Sequence, residues 1–432
     1  MKSNNLATKI GIEVKALRQK KGIATLLFVA LMTLTAAYSQ NGVMSPYSRF
    51  GYGFLNDNAT ASQRTMGGVG YAMNSGRQIN VMNPASYAAI DSLTFLFDMG
   101  VDMTALWSEQ GDKRESNFGG GLDYITMQFP IGRYMGASIG LVPFSSVGYT
   151  FGSEINNGTI TRTGSGSLNQ LYLGLAGRPF RGFTVGANVA YLFGSVVNDV
   201  YAVSNYSSST LFERTMTVRD YRLDFGVQYS FNVNRDNRVT MGLVYSPAKD
   251  LHGKVYGIYY DTSVEKVVPD TVPGDHSMAG QYSTPEKWGA GLNWKYKDNL
   301  MIEADFTYEP WAKAKFGVVQ DFETTRFADR FRIGAGAQYV YNSRGNYLQR
   351  MQYRIGGFYN RDYVMVGENN VRDIGVSLGV GLPVPGFKSV INVGLEYRNR
   401  QAYPQALVKE NYLNITIGIN FNEMWFRKNR LY

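Results

Sequence analysis

In the stretch "LNITIGINF", Leu413, Ile415, Ile417, Ile419 and Phe421 alternate with Asn414, Thr416, Gly418 and Asn420. Successive strand side chains point to opposite faces, so this stretch has one apolar side and one polar side. Nine residues is also about the length of a tilted strand that crosses a bilayer. The pattern recurs from Phe95 to Met103, Phe183 to Phe193, Leu223 to Phe231, Trp288 to Tyr296 and Ile374 to Leu382. No part of the chain reaches eighteen consecutive apolar residues, so membrane-crossing helices are excluded. A transmembrane β-barrel meets lipid with only every second residue, which reconciles 31 Tyr, 24 Phe and 48 Gly with a mean hydropathy of -0.22. A soluble sandwich alternates too. The aromatic strand ends and the signal for export favour the membrane.

That signal is the N-terminus. Lys2, Lys9, Lys15, Arg18, Lys20 and Lys21 precede an apolar run from Ile23 to Ala37, and Ala37 and Ser39 stand at signal-peptidase spacing. Residues 1–39 read as a signal peptide cleaved after Ser39. The absence of cysteine excludes an acylated lipoprotein and a disulfide-stapled domain. Removing six basic residues and Glu13 leaves 37 basic against 33 acidic, a balance that gives no reason to invoke nucleic acid.

Alternation marks fifteen candidate strands, and a closed antiparallel barrel wants an even number. Reading "MGLVYSPAKDLHGKVYGIYY" as one strand bent at Ser246 and Pro247 gives fourteen. Short turns such as "KDN" (Lys297 to Asn299) and "VPGF" (Val384 to Phe387) then face the periplasm. Long connections, Ser195 to Asp220 and Asp261 to Pro285, face outside, and both mature termini are periplasmic. Residues 43–91 lack alternation and are rich in Gly and Asn, which suits filling a polar lumen. The expected layout is all-β: signal peptide 1–39, N-terminal plug 40–91, and a fourteen-stranded antiparallel transmembrane barrel over 92–432. Tyr229, Phe231, Trp288, Trp294, Tyr296, Trp311, Tyr339, Tyr341 and Tyr397 read as interfacial belts.

"SPYSRFGYG" (Ser45 to Gly53), "RTMGGVGYA" (Arg64 to Ala72), "INVMNPASYA" (Ile79 to Ala88) and the closing Trp425 and Phe426 resemble a branch of the FadL family of outer-membrane barrels. The likeness spans the mature chain in layout and is most specific at Asn80, Asn83, Pro84 and Ala85, the plug motif. It implies a Gram-negative outer-membrane location, a hatch inside fourteen strands, and in transporting members a lateral opening beside a kinked third strand. Some relatives serve instead as subunits of envelope machines, so fold does not settle function.

Catalysis has little footing: His252 and His276 are the only histidines, there is no Cys, and no G-x-S-x-G elbow is present. No metal-ligand spacing and no cofactor motif is found, and the glycine pairs Gly334/Gly336 and Gly379/Gly381 fall at strand period. The third strand meets "PFSSVGY", where Pro143, Phe144, Ser145, Ser146 and Gly148 are the expected lateral opening. Leu96, Tyr172, Leu192, Val244, Met301, Val340 and Phe358 face inward as a candidate apolar ligand pocket. Glu303, Asp305, Arg332, Arg354, Glu396 and Arg398 form a lumen charge network, expected to pair across neighbouring strands. The first expectation is a passive channel for a hydrophobic small molecule of fatty-acid or aromatic type, bound in the lumen and released sideways into outer-membrane lipid. The other is a non-transporting subunit that docks envelope proteins of an assembly or secretion complex.

Overall fold

The computed structural model describes residues 45–155, 158–204, 210–261, 269–271, 276–317, 325–386 and 388–424. The signal peptide and the Trp425–Phe426 pair lie outside the described residues. Six strands come first: β1 (Thr94–Gln110), β2 (Lys113–Pro130), β3 (Met135–Ile155), β4 (Gly158–Phe180), β5 (Phe183–Ser204) and β6 (Thr210–Asn232). β7 runs as Asn237–Ser246 and Gly253–Asp261, both paired with β6, so the expected bend at Ser246 and Pro247 is there. Pro247 cannot donate to a ladder, which breaks the strand at that point. Then follow β8 (Lys287–Tyr296), β9 (Leu300–Glu309), β10 (Arg330–Tyr339), β11 (Gln352–Val366), β12 (Asn369–Pro383), β13 (Val390–Tyr403) and β14 (Lys409–Met424). Each pairs antiparallel with the next, and β14 closes on β1 from Lys409 opposite Glu109 to Met424 opposite Thr94. The fourteen-stranded barrel is closed, with no sheet edge left at its seam.

The two faces follow the alternation. Ile374, Val376 and Leu378 are more than half exposed on the outer face, while Thr416, Asn420 and Ser377 are buried inside. Tyr229, Trp288, Trp294, Tyr296, Tyr339, Tyr341 and Tyr397 are exposed, as belt residues should be. Trp311 corrects its assignment to the belt. Pro310 ends β9, the short turn Trp311–Lys313 folds over the lumen, and the indole donates to Glu309 Oε2 at 2.6 Å in a buried site.

Two further expectations change. Ser195 to Asp220 is not a long loop: β5 and β6 stay paired as far as Ala202 opposite Thr210, because Val196, Asn198, Met216 and Val218 continue the inward alternation. Strands β3 to β6 thus reach 21 to 23 residues, well beyond what a bilayer needs. Of the second expected loop, Met278 and Tyr282 fold back into the lumen and are buried. The mature termini, expected at the short-turn end, lie outside the described residues. Ser45 lies in the long-loop half, its N–H donating to Gly148 O and its hydroxyl to Glu410 at 2.7 Å each, whereas Met424 sits at the turn end opposite Thr94. The plug begins deep in the barrel because its first residues line the kinked part of β3.

Replacing Ile417, which faces lipid between Val101 and Val393, by Asp should harm folding more than replacing the buried, inward Thr416 by Asp. A lipid-face charge at the midplane costs about 2–4 kcal/mol for Arg or Lys and less for Asp. Folding yields into detergent or lipid, read by heat-modifiable gel migration, check this, and equal yields would contradict the register.

Candidate functional site

Residues from Ser45 to Asp91 fill the lumen with little regular structure, so their backbone groups need partners other than a ladder. Part of the supply is internal. The single-turn helix α1 (Ala61–Arg64) starts in a capping box between Thr60 and Gln63. Asn80 Nδ2 donates to Gly70 O (2.6 Å) and Met73 O (3.0 Å), while its Oδ1 accepts from Gln63 Nε2 (2.8 Å) and Met82 N (3.1 Å). Asn83 caps the 3-10 turn Pro84–Ala89 through Ala85 N (3.0 Å) and donates to Tyr71 O at 2.7 Å. Pro84 starts that turn, where a missing N–H costs nothing, and buried Ala85 gives the backbone room against β5. Of the motif, the two asparagines tie plug segments together and the other two residues shape the turn.

The wall supplies the rest. Asp305 Oδ2 accepts from Gly70 N (2.6 Å) and Tyr71 N (2.9 Å), and Glu303 Oε1 accepts from Ala72 N (2.9 Å). Arg332 donates to Gly67 O (2.6 Å) and Gly68 O (3.1 Å). These three wall residues therefore read the backbone of "MGGVGYA", in which Gly67 and Gly68 adopt φ of 74° and 67° that other residues resist. The expected pairing of network charges with one another across strands is not what forms. Arg354 donates to Gln338 and Asn392, Glu396 accepts from Asn414, and Arg398 lies over the Tyr412 ring at 4.4 Å.

Some ion pairs join neighbouring wall strands, as Arg400 does with Asp373, and others join plug to wall. Asp57 bridges Arg330 (2.7 Å) and Arg332 (3.1 Å), Arg330 also meets Glu309 (3.1 Å), and Arg64 meets Asp123 on β2 at 2.6 Å. Burial alone would raise the Asp57 carboxyl, but Arg330 and Arg332 hold it well below the usual carboxylate range. Asp57, Arg64 and Arg330 escaped the sequence reading; a lone acid within "NDN" and an Arg at a strand start carry no signal of their own.

The third strand kinks as expected. β2 and β3 pair only from Pro130 opposite Gly136 to Ile125 opposite Leu141, and a bulge falls at Phe144 between Pro143 and Ser145. Beyond Leu141, β3 turns its edge to the plug. Phe54 and Leu55 pair with Ser146 and Ser145, Asn56 N donates to Phe144 O at 2.9 Å, and Gly148 N donates to Ser48 Oγ at 3.1 Å. From Lys113 to Tyr124 β2 keeps its ladder with β1 but no longer pairs with β3.

The seven apolar candidates do not converge. Leu96 and Tyr172 pack with Ile79, Val81 and Tyr87 of the plug; Leu192 lies in a loop-half core with Tyr47 and Tyr52. Val244 packs with Tyr71 and Met82, and Met301 with Met66, Val69 and Met73. Phe358 lies under the Arg332 guanidinium at 4.7 Å, and Val340 faces the vestibule at the turn end. Among the cavities are a polar one of 120 Å³ between Asp57, Arg64, Arg330, Asp373 and Arg400, a vestibule of 1340 Å³ at the turn end, and a more apolar one of 160 Å³ at the β7 bend, lined by Leu192, Leu223, Pro247 and Leu251.

A model of the BamG family matches residues 20–432. The chain belongs to the BamG family. Its fold is that of FadL-like outer-membrane barrels. The toluene transporter TbuX of Ralstonia pickettii superposes with a TM-score of 0.56 at 17% identity, over 84% of this chain and 98% of that one. A Pseudomonas aeruginosa FadL homologue gives 0.60 at 12% identity, over 86% and 99%. The P. putida toluene transporter TodX gives 0.56 at 12%, over 86% and 100%. No curated protein matches. At these identities the structures speak for the fold alone.

Two outcomes follow for this BamG-family plug. Asn83→Ala removes two buried hydrogen bonds, from Ala85 N and to Tyr71 O, at about 1–3 kcal/mol for each polar group left unmatched. The variant should still form a heat-modifiable barrel but should be cleaved faster by protease within residues 60–85. Because the Asp57 pKa is depressed, its latch is fully present above about pH 4 and is lost as pH falls below that. Hydrogen exchange at residues 55–60, corrected for intrinsic rates, should rise on acidification; Asp57→Asn should raise it at neutral pH and flatten the response.

Proposed function

We propose that this protein is a plugged, non-transporting FadL-like barrel that serves as a subunit of an outer-membrane assembly or secretion complex and docks other envelope proteins. The observation carrying this reading is that plug side chains occupy the apolar part of the lumen. Leu96, Tyr172, Leu192, Val244 and Met301 each pack on plug residues in four separate clusters. Apolar ligand sites of roughly 300–1,000 Å³ are the norm, and both the charge-lined cavity of 120 Å³ and the more apolar one of 160 Å³ fall below that. The family name also points toward envelope-protein association. Non-enzymatic function accords with both.

One observation favours a second reading, a passive channel for a hydrophobic compound: the end of β2–β3 pairing beside the kink of β3. The side chains behind it, Asp123 and Arg64, are charged, which disfavours an apolar exit. Gentle detergent extraction, sizing and partner identification test the first reading. The expected result is a particle larger than the detergent-bound monomer, with envelope proteins in fixed ratio. Because the chain has no cysteine, thiols placed in Phe118–Leu122 and Phe144–Gly148 can be crosslinked selectively. Crosslinking should leave toluene or fatty-acid uptake unchanged; a lone barrel whose uptake is abolished by the crosslink would establish the channel instead.

A further inference from the structure

The vestibule at the turn end is lined by nine Lys and Arg side chains, among them Arg77, Arg178, Arg181, Arg238, Lys295 and Arg350, against Asp91 and Asp298. That local excess of seven exceeds the excess of four carried by the whole of residues 40–432 (37 basic against 33 acidic). The cations are not neutralised where they stand. Arg178 and Lys295 donate to the neutral carbonyls of Ala88 and Asn74, each at 3.1 Å, and Arg350 Nε is buried without a hydrogen-bond partner. Among the described residues only Lys297 has a carboxylate within reach, Asp236 at 3.8 Å. Like charges gathered in a concave, low-dielectric mouth focus a field that attracts an anion and repel one another without it.

We propose that this vestibule is a docking pocket for an acidic peptide segment of a partner protein. The proposal rests on the subunit reading and names the surface through which one partner engages. The chain's own ends do not fit by charge: residues 40–44 carry no Asp or Glu, and 425–432 carry Arg427, Lys428 and Arg430 with no Asp or Glu. A single small anion is far too little for 1340 Å³, which exceeds the roughly 300–1,000 Å³ of a drug-sized site. Inward-facing Thr184, Ser230 and the plug residues Met73 to Gln78 line the cavity from within the barrel, and because Tyr229 and Phe231 of the belt line it too, a lipid headgroup is the competing occupant that the test must separate. An extended segment rich in Asp or Glu can enter from the open turn end and reach several guanidinium groups, each a fork suited to carboxylate.

The test uses the full-length protein in detergent and a fluorescein-labelled Glu/Gly/Ser peptide, read by anisotropy. Binding should weaken as salt is raised from about 50 to about 500 mM and be absent for the peptide with Gln in place of Glu. Arg181→Gln/Arg238→Gln/Arg350→Gln should weaken it at least about tenfold while Lys113→Gln/Arg114→Gln, exposed at the opposite end, should not change it. If the triple variant loses heat-modifiable folding, Arg344→Gln/Lys388→Gln in exposed turns takes its place. Equal binding by the vestibule variants or by the Gln peptide overturns the proposal. So does displacement by low-millimolar inorganic phosphate, which would assign the vestibule to small anions. Displacement by phosphatidylglycerol nanodiscs overturns it too, in favour of lipid headgroups. Partners that co-purify with a barrel that ignores the peptide defeat this pocket alone; peptide binding by a barrel that extracts alone and conducts toluene defeats the subunit reading alone.

Discussion

An irregular chain enclosed by a barrel wall has to find a partner for each buried N–H and C=O without a ladder of its own, and the rest of this structure answers that demand. Asp305, Glu303 and Arg332 direct their charge at backbone amides and carbonyls of residues 67–72, and Arg332 does so while also pairing with Asp57. Gln228 does the same for Tyr71 O and Met73 O, at 3.0 and 3.2 Å. The contacts of Asp305, Glu303 and Arg332 are charge-assisted and shielded, which makes them stronger than surface ion pairs. The wall also gives way sterically. At Gly186 a Cβ would stand 2.6 Å from the Pro84 carbonyl, so a side chain there and a plug backbone could not coexist.

The kink of β3 follows from the same demand. Pro143 withdraws a donor, Phe144 bulges into the loop-half core, and the strand edge freed from β2 is taken by Phe54 and Leu55. Half of the break is thereby healed from within, and on the opposite half β2 is no longer paired with β3. Transport and docking readings divide over that one break. The charge behind it and the filled lumen weigh toward docking.

Period-two alternation made the wall legible. Its spacing fixed the inward face of β14 and the unity of the two β7 segments, because one slip would turn every lipid-facing residue into the lumen. The loop half was less readable. Val196, Met216 and Val218 continue the alternation beyond the membrane, where nothing in a sequence marks the bilayer's limit, so paired strand looked like loop. Trp311 misled because an aromatic at a strand end has the same letter whether it turns out to lipid or in over the lumen. The partners of the plug were hidden for another reason. Asp57 to Arg330 spans 273 positions, and backbone groups of glycines, which bind most of the wall charges, have no side-chain signature.

The threading of the plug bears on the order of assembly. It is synthesised ahead of every barrel strand, runs from Ser45 beside Glu410 in one half of the lumen to Asp91 at the other end, and touches β2, β3, β5, β9, β10 and β14 along the way. Once β14 has zipped to β1, its route is lined by side chains already in their final places, and fifty residues of irregular chain would have to worm through a passage with no vacant bore. Closing the seam around a plug already laid against the wall is the order that avoids such a passage. In that order the hatch is the mandrel on which the barrel is wound.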